Sequence, residues 1–300
     1  MVETNNAKMP RRQFLMTAAA LTGGVALLGS CRSLQPTKSN SATARWAFLS
    51  DTHVPADPEN NYRGFYPYKN LQKVVPQITA AGPEGLIITG DLARLEGLPG
   101  DYANARKLLA PVIEQCPVCV GLGNHDHREN FLAAFANAGK GKQAVRGKHV
   151  VVMDAGPVRL IVLDSLFYVN QVAGLLGRAQ RNWLAEYLRA NDDKPTILFF
   201  HHTLGDGDGD LLDVPRLFEI IKPARAVKAL VFGHSHVYNF AEADGIHLIN
   251  LPASGYNFND RQPVGWAEAQ LTADGAEFLL HAVGGNTQID GQTTTVRWRA

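Results

Sequence analysis

Five short apolar runs in this chain end in the same kind of residue, and that shared ending limits the possible folds more than any other feature. Trp46–Ser50 runs into Asp51 and His53, Gly85–Thr89 into Gly90 and Asp91, and Pro117–Leu122 into Gly123, Asn124, His125 and Asp126. Pro195–Phe200 runs into His201 and His202, and Ala229–Phe232 into Gly233, His234 and His236. Each run has the length and residue types of a β-strand. Helical patterns alternate with them. Leu71, Val74, Val75 and Ile78 mark one helix face, with Pro76 placed to kink it, and further helices are expected at Tyr102–Glu114, about 128–138, Arg178–Ala190 and Val214–Ile221. His149–Met153 and Val158–Leu163 read as a hairpin around Gly156 and Pro157, and strands at Gly245–Leu251, Gly265–Leu271, Glu277–His281 and Thr293–Arg299 fill the C-terminal part. This order predicts an α/β fold of two sheets covered by helices, with its functional residues beyond the carboxyl ends of the strands.

The endings have a chemistry in common. Of the 10 histidines, seven lie in or beside them: His53, His125, His127, His201, His202, His234 and His236. Residues i and i+2 of a strand share a face, so Asp51 with His53, and His234 with His236, can each grip one side of a site if strand geometry persists that far. Asp51, His53, Asp91, Asn124, His201, His234 and His236 form a ligand set of nitrogen and oxygen only, which suits Mn, Fe, Zn, Co or Mg. The set is too large for one ion and suits two, about 3.5–4 Å apart as in hydrolytic two-metal centres.

In this order the motifs resemble the calcineurin-like metallophosphoesterase family: Asp-x-His at Asp51, Gly-Asp at Asp91, Gly-Asn-His-Asp at Asn124, a histidine at His201, and Gly-His-x-His at His234. The resemblance spans Arg45 to about Asn239. It implies a four-layer α/β/β/α sandwich. It further implies one metal held by Asp51, His53, Asp91 and His236 and a second held by Asp91, Asn124, His201 and His234, with Asp91 bridging. His202 would stand behind the ligands. The implied reaction is phosphoester hydrolysis by a metal-bridging hydroxide, with His125 protonating or hydrogen-bonding the leaving oxygen and Asp126 fixing the His125 ring. Arg128 is a further candidate behind the ligands or at the substrate.

Departures narrow the choice. Gly90–Gly97 lacks the Gly-Asp-x-x-Asp-Arg-Gly extension of serine/threonine protein phosphatases, and Asp126 stands where they have glutamate. Arg94 occupies the position of the metal-binding tyrosine of purple acid phosphatases. Gly100–Pro111 and Asn-His-Asp-x-Arg128 are similar to bacterial cyclic-nucleotide phosphodiesterase-like members. The expected substrate is a small phosphodiester or phosphomonoester, with a cyclic-nucleotide-type phosphodiesterase, or a non-catalytic surface binding protein on the same fold, as alternatives.

The N-terminus reads as an address. Arg11-Arg12-Gln13-Phe14-Leu15 resembles the twin-arginine export signal, Phe14–Leu28 is an apolar stretch too short for a comfortable membrane span, and Leu28–Cys31 resembles a bacterial lipobox. Residues 1–31 are therefore expected to be a signal peptide with Cys31 lipidated, a membrane anchor outside the cytoplasm. Residues 32–44 read as a flexible tether and 45–300 as one domain. The formal net charge of +1 gives no nucleic-acid-like basic character, and three cysteines exclude a disulfide framework. Sequence leaves the oligomeric state open. Cys116 and Cys119 read as structural and Gly205–Asp210 as a flexible acidic loop. The aromatics of 60–68 and Tyr256–Phe258 read mainly as packing, with pocket lining as the other role.

Overall fold

The computed structural model describes residues 42–135 and 144–300. The expected signal peptide with Cys31, most of the tether, and the end of the helix expected over 128–138 lie outside the described residues. The elements in chain order are β1 (Thr43–Leu49), α1 (Pro67–Ala81), β2 (Gly85–Ile88), α2 (Pro99–Gln115), β3 (Val118–Val120), α3 (Arg128–Ala134), β4 (Val151–Ala155), β5 (Val158–Val162), α4 (Arg178–Ala190) and β6 (Thr196–Phe199). They continue with α5 (Val214–Ile221), β7 (Val227–Phe232), β8 (Asn239–Ala243), β9 (Ile246–Asn250), β10 (Pro263–Thr272), β11 (Gly275–Gly285), a 3-10 turn (Thr287–Ile289) and β12 (Thr293–Arg297). β1 begins before the expected domain boundary at residue 45, because Thr43 and Ala44 pair with Thr272 and Leu271 of β10. β8 was not expected; its mostly exposed residues carry no apolar alternation, and it forms by antiparallel pairing with β9.

The strands make two six-stranded sheets, in the orders β12-β11-β10-β1-β2-β3 and β4-β5-β6-β7-β9-β8. Both are mixed. β1, β2 and β3 run parallel in the first, and β5, β6, β7 and β9 run parallel in the second.

Strand alternation sorts the apolar residues into three cores. Ala47 and Leu49 of β1 face the side of α1 and α2, packing with Leu71, Val74 and Ile78. Trp46 and Phe48 turn to the other face and meet Ile197 and Phe199 of β6 between the sheets. The Phe48 and Phe199 rings touch edge to face at 4.9 Å, a geometry favoured by the ring quadrupoles. Leu198 and Phe200 point outward to Leu184 of α4 and Leu217 and Ile221 of α5. The layers are thus α/β/β/α, as expected. α1 runs through Pro76, whose ring lies on the exposed face, and stops at Gly82, which takes a left-handed φ of 60° and donates its N–H to Ile78 O. Cys116 ends α2 and packs in the outer core while Cys119 of β3 packs between the sheets. Both are free, and burial pushes their thiols up to about 11 and about 12, so they are inert packing residues.

The carboxyl ends of the parallel strands are sewn together across the two sheets. Ser254 N donates to Ser50 O at 2.9 Å, Gly255 N to Asp51 O at 2.8 Å, and His234 N to Asp51 Oδ2 at 3.0 Å. The site forms at this seam.

Candidate metal centre

The expected ligands leave their strands by turning, not by continuing them. Asp51, His53, Asp91, His234 and His236 all have left-handed φ, between 46° and 72°. For residues with a Cβ this conformation is costly and persists only where surrounding structure enforces it. The strand-like i, i+2 chelation expected from sequence is therefore replaced by tight turns that aim each side chain inward. Two glycines make room for them. A Cβ on Gly123 would lie 2.2 Å from Asp91 Oδ1 and 2.6 Å from His201 Cδ2, and one on Gly233 would lie 2.4 Å from Asp51 Oδ2. The Gly-Asn-His and Gly-His motifs are thus requirements of close approach.

Potential ligand atoms converge in two groups, linked by a third of His53, Asp91 and His125 that shares a residue with each. Asp51, His53 and His236 form one, and Asp91, His201 and His234 form the other, each with ligand atoms within 4.8 Å of one another. His53 Nε2 and His236 Nε2 are 3.2 Å apart, and His236 Nε2 is 3.3 Å from Asp51 Oδ1. In the second group His201 Nε2 lies 3.2 Å from Asp91 Oδ2 and 3.2 Å from His234 Nδ1. His53 Nε2 is 3.8 Å from Asp91 Oδ2 and His201 Nε2 is 3.8 Å from Asp51 Oδ1, so the groups adjoin through their carboxylates. Two atoms each about 2.1 Å from one ion lie about 3.0–3.4 Å apart at octahedral or tetrahedral angles. The spacings fit ions. Among the described residues, Asp51 Oδ1 and Asn124 Oδ1 are buried without a hydrogen-bond partner. Buried oxygens in that condition are costly unless a cation accepts their lone pairs.

Backbone carbonyls orient the rings. His53 Nδ1 faces Arg94 O at 3.2 Å, His236 Nδ1 faces Tyr256 O at 2.6 Å, and His125 Nδ1 faces Leu95 O at 2.8 Å. Each contact places the proton on Nδ1 and leaves Nε2 as the free lone pair. His234 is reversed, with Nε2 on Gly209 O at 3.0 Å and Nδ1 toward the centre. Such outer contacts set the tautomer that a ligand needs.

Charge balance agrees with the geometry. Burial raises the Asp51 and Asp91 carboxyls, but His236 and His201 beside Asp51, and His201 beside Asp91, outweigh it and hold both well below the usual carboxylate range. Burial pushes His53 down to about 3, and burial with His201 nearby pushes His234 down to about 4. His201 moves the other way: burial lowers it, yet Asp91 and Asp51 carry it up to about 9. The pull of Asp91 and Asp51 on His201 is the electrostatic demand for positive charge that a cation held there would meet.

The sequence profile of the family described as calcineurin-like phosphoesterase matches residues 44–238, spanning every residue of the two ligand groups. The chain belongs to the calcineurin-like phosphoesterase family. It is accordingly a hydrolase of phosphoester bonds, and the family is metal-dependent. A probable cyclic nucleotide phosphodiesterase of Synechococcus sp. (strain WH7803) is 32% identical over 235 residues, covering 72% of this chain and 84% of that protein. A 3',5'-cyclic adenosine monophosphate phosphodiesterase of Pseudomonas aeruginosa is 25% identical over 230 residues, covering 74% of this chain and 80% of that protein. Among solved structures, a dimetal phosphatase from Danio rerio superposes with a TM-score of 0.65 at 16% identity, covering 85% of this chain and 99% of the other. That likeness supports the fold.

Within this phosphoesterase two expectations need correction. Asp126 does not hold His125. Its carboxylate accepts from the backbone N–H of Leu92, Ala93 and Gly123 at 3.3, 3.1 and 3.0 Å and from Tyr102 Oη at 3.1 Å, clamping the loops after β2 and β3 together. Burial and the neighbouring Asp91 push it up to about 6. The His125 ring is held by Leu95 O instead, and the His125 backbone N–H donates to Asp91 Oδ1 at 2.8 Å. Arg128, expected behind the ligands or at the substrate, makes a two-pronged ion pair with buried Asp164, Nε to Oδ2 at 2.7 Å and Nη2 to Oδ1 at 2.9 Å. The Gly205–Asp210 segment is anchored, because Gly209 O orients His234 and Asp210 O accepts from Gly174 N at 3.1 Å.

His202 packs beside His201 and His234. Its ring is 5.1 Å from His201 and 4.8 Å from His234, its Nδ1 meets Ser165 Oγ at 2.8 Å, and burial keeps it neutral. Sequence reasoning overlooked Asp164, Ser165, Tyr102 and the carbonyl of Gly209. Asp164 and Ser165 had a usable signal, since they follow an apolar strand as the ligands do.

Proposed function

We propose that this chain is a two-metal phosphodiesterase in which Asp91 is shared between the ions. One ion would be held by Asp51, His53, Asp91 and His236, and the other by Asp91, Asn124, His201 and His234. The convergence of two ligand groups at adjoining buried carboxylates carries the reading. Two cations held there would supply an activated water and neutralise charge on the phosphoryl oxygens. The chain's own part is in the surrounding geometry. His125 is half-buried, has a ring nitrogen within 4.8 Å of ligand atoms of His53 and Asp91, and is fixed through Leu95 O. With Nδ1 held by that carbonyl, Nε2 is the ring nitrogen left to carry a second proton, and in that imidazolium form it would donate to the departing alkoxide.

The relatives' names support a phosphodiester, and among diesters a cyclic nucleotide. The leader read from sequence supports a protein exported and anchored through Cys31, so that the diester is met outside the cytoplasm. The test is a substrate series on the Mn²⁺-loaded protein: 3',5'-cyclic AMP and bis-p-nitrophenyl phosphate against p-nitrophenyl phosphate. Diester turnover well above monoester turnover is expected; turnover of the monoester alone would refute the diester reading. Lipid labelling in the producing cell should vanish in Cys31→Ser, and labelling that persists would refute the anchor.

A further inference from the structure

Two loops on the His53 and His236 side of the centre carry aromatic rings that the cores do not use. Tyr62 is 40% and Phe258 50% exposed, against 4% for Tyr256, which both of them touch. The Tyr62 and Tyr256 rings meet at 4.9 Å and 66°, and the Tyr256 and Phe258 rings at 5.6 Å and 82°. Tyr256 itself stacks on His53 at 4.7 Å and 28°, and Phe258 lies 4.5 Å from the His236 ring. Two exposed rings thus stand steeply on a buried ring that rests on the imidazoles of the centre. The Arg94 guanidinium is 5.3 Å from the Tyr62 ring and 5.5 Å from the Tyr256 ring.

These loops are held in place. Tyr62 and Phe65 exchange backbone hydrogen bonds of 2.9 Å around Arg63 and Gly64, both with left-handed φ. Arg63 then reaches across, donating from Nε to Asn257 O at 3.0 Å and from Nη2 to Phe258 O at 3.1 Å. Asn70 Nδ2 donates to Gly255 O at 2.8 Å and Asn257 Nδ2 to Gln262 O at 2.7 Å. Rings displayed on so braced a frame lose little freedom when a ligand stacks on them.

We propose that Phe258 and Tyr62, with Arg94 beside them, form a stacking subsite for the planar base of a nucleotide ester whose phosphate lies at the centre. This rests on the phosphodiesterase reading above and adds what the leaving group or its remnant must contain. Stacking reads a ring's face and not its edge groups, so the subsite favours nucleotides over sugar phosphates and treats the bases much alike.

The experiment is calorimetric binding of AMP, ribose 5-phosphate and inorganic phosphate to the full-length Mn²⁺-loaded protein. AMP should bind about tenfold or more tightly than ribose 5-phosphate, the span expected for one stacked base. Phe258→Ala and Tyr62→Ala should each shrink that preference and the double substitution should abolish it, while Phe258→Trp keeps it. Manganese content, measured alongside, reports whether each variant retains the centre. Equal binding of AMP and ribose 5-phosphate by the parent protein, or a preference that survives the double substitution, would overturn the subsite. Failure of the enzyme reading looks different: no ester is hydrolysed, while the base preference and its loss on substitution stand unchanged.

Discussion

Asp164 and Asp91 are both buried carboxylates just beyond the ends of parallel strands, and the protein surrounds them in opposite ways. Asp164 is saturated. Arg128 grips both its oxygens, Lys148 Nζ stands 3.7 Å away, and the backbone N–H groups of His149 and Leu166 donate at 2.9 and 3.0 Å. Asp91 has one backbone donor, His125 N–H at 2.8 Å, and otherwise faces imidazoles: His201 at 3.2 Å and His53 at 3.8 Å. Its neighbour Asp51 leaves Oδ1 without a hydrogen bond among the described residues. A buried anion with permanent cationic partners is a structural joint. A buried pair of anions that meets imidazoles in place of permanent cations leaves negative charge for an arriving cation to balance.

The contrast can be broken most severely at Asp91. Asp91→Asn keeps the size of the side chain and removes the charge on which both ligand groups converge; diester turnover should fall about a thousandfold, the scale of a lost metal contribution of several kcal/mol, with the folded state retained by circular dichroism. Asp164→Ala should do the reverse. It strands Arg128 and Lys148, costing about 3 kcal/mol and lowering Tm by roughly 6–12 °C for a domain of this size, while metal content stays at the parent level. A Tm unchanged in Asp164→Ala would remove the structural half of the comparison. Gly123→Ala sharpens the other half: its Cβ would strike Asp91 Oδ1 and His201, so about 1–3 kcal/mol of strain should appear as weaker metal affinity in a Mn²⁺ titration.

The smallest effect is on pH. In metal-free protein His53 and His234 sit at about 3 and about 4, below their unfolded value of about 6.5. As pH falls from about 6.5 toward 4, the unfolded chain takes up protons that the fold refuses, so stability drops. His201, raised to about 9, contributes stability that is fully present below about 6.5 and is lost as pH rises through 9. Scanning calorimetry should therefore show a Tm maximum near pH 6.5, with the alkaline limb flattened by Mn²⁺; a metal-free Tm flat from pH 5 to 9 would contradict this charge balance.

Much of this was legible in the chain. Asp51, His53, Asp91, His201, His234 and His236 could be read because their own motifs, each after an apolar strand, state both the residue and its place, and the parallel order of the strands brings those places together. The layers were legible because strand alternation sends Ala47 and Leu49 one way and Trp46 and Phe48 the other. What stayed hidden depends on partners remote in sequence. Asp126 meets amides about 30 residues away, Arg128 meets Asp164 across 36 positions, and Gly209 serves His234 through a carbonyl that every residue has. The left-handed turns at the ligands were equally unreadable, since an Asp or His at φ near 50° is imposed by the seam between the sheets and not by local preference.

The claim that Asp91 joins two ions is tested most directly by counting them. Manganese bound per chain at saturation, measured by elemental analysis after removal of free metal, should be two for the parent protein and one or none for Asp91→Asn. One ion per parent chain, or two retained by Asp91→Asn, would contradict the shared-carboxylate centre.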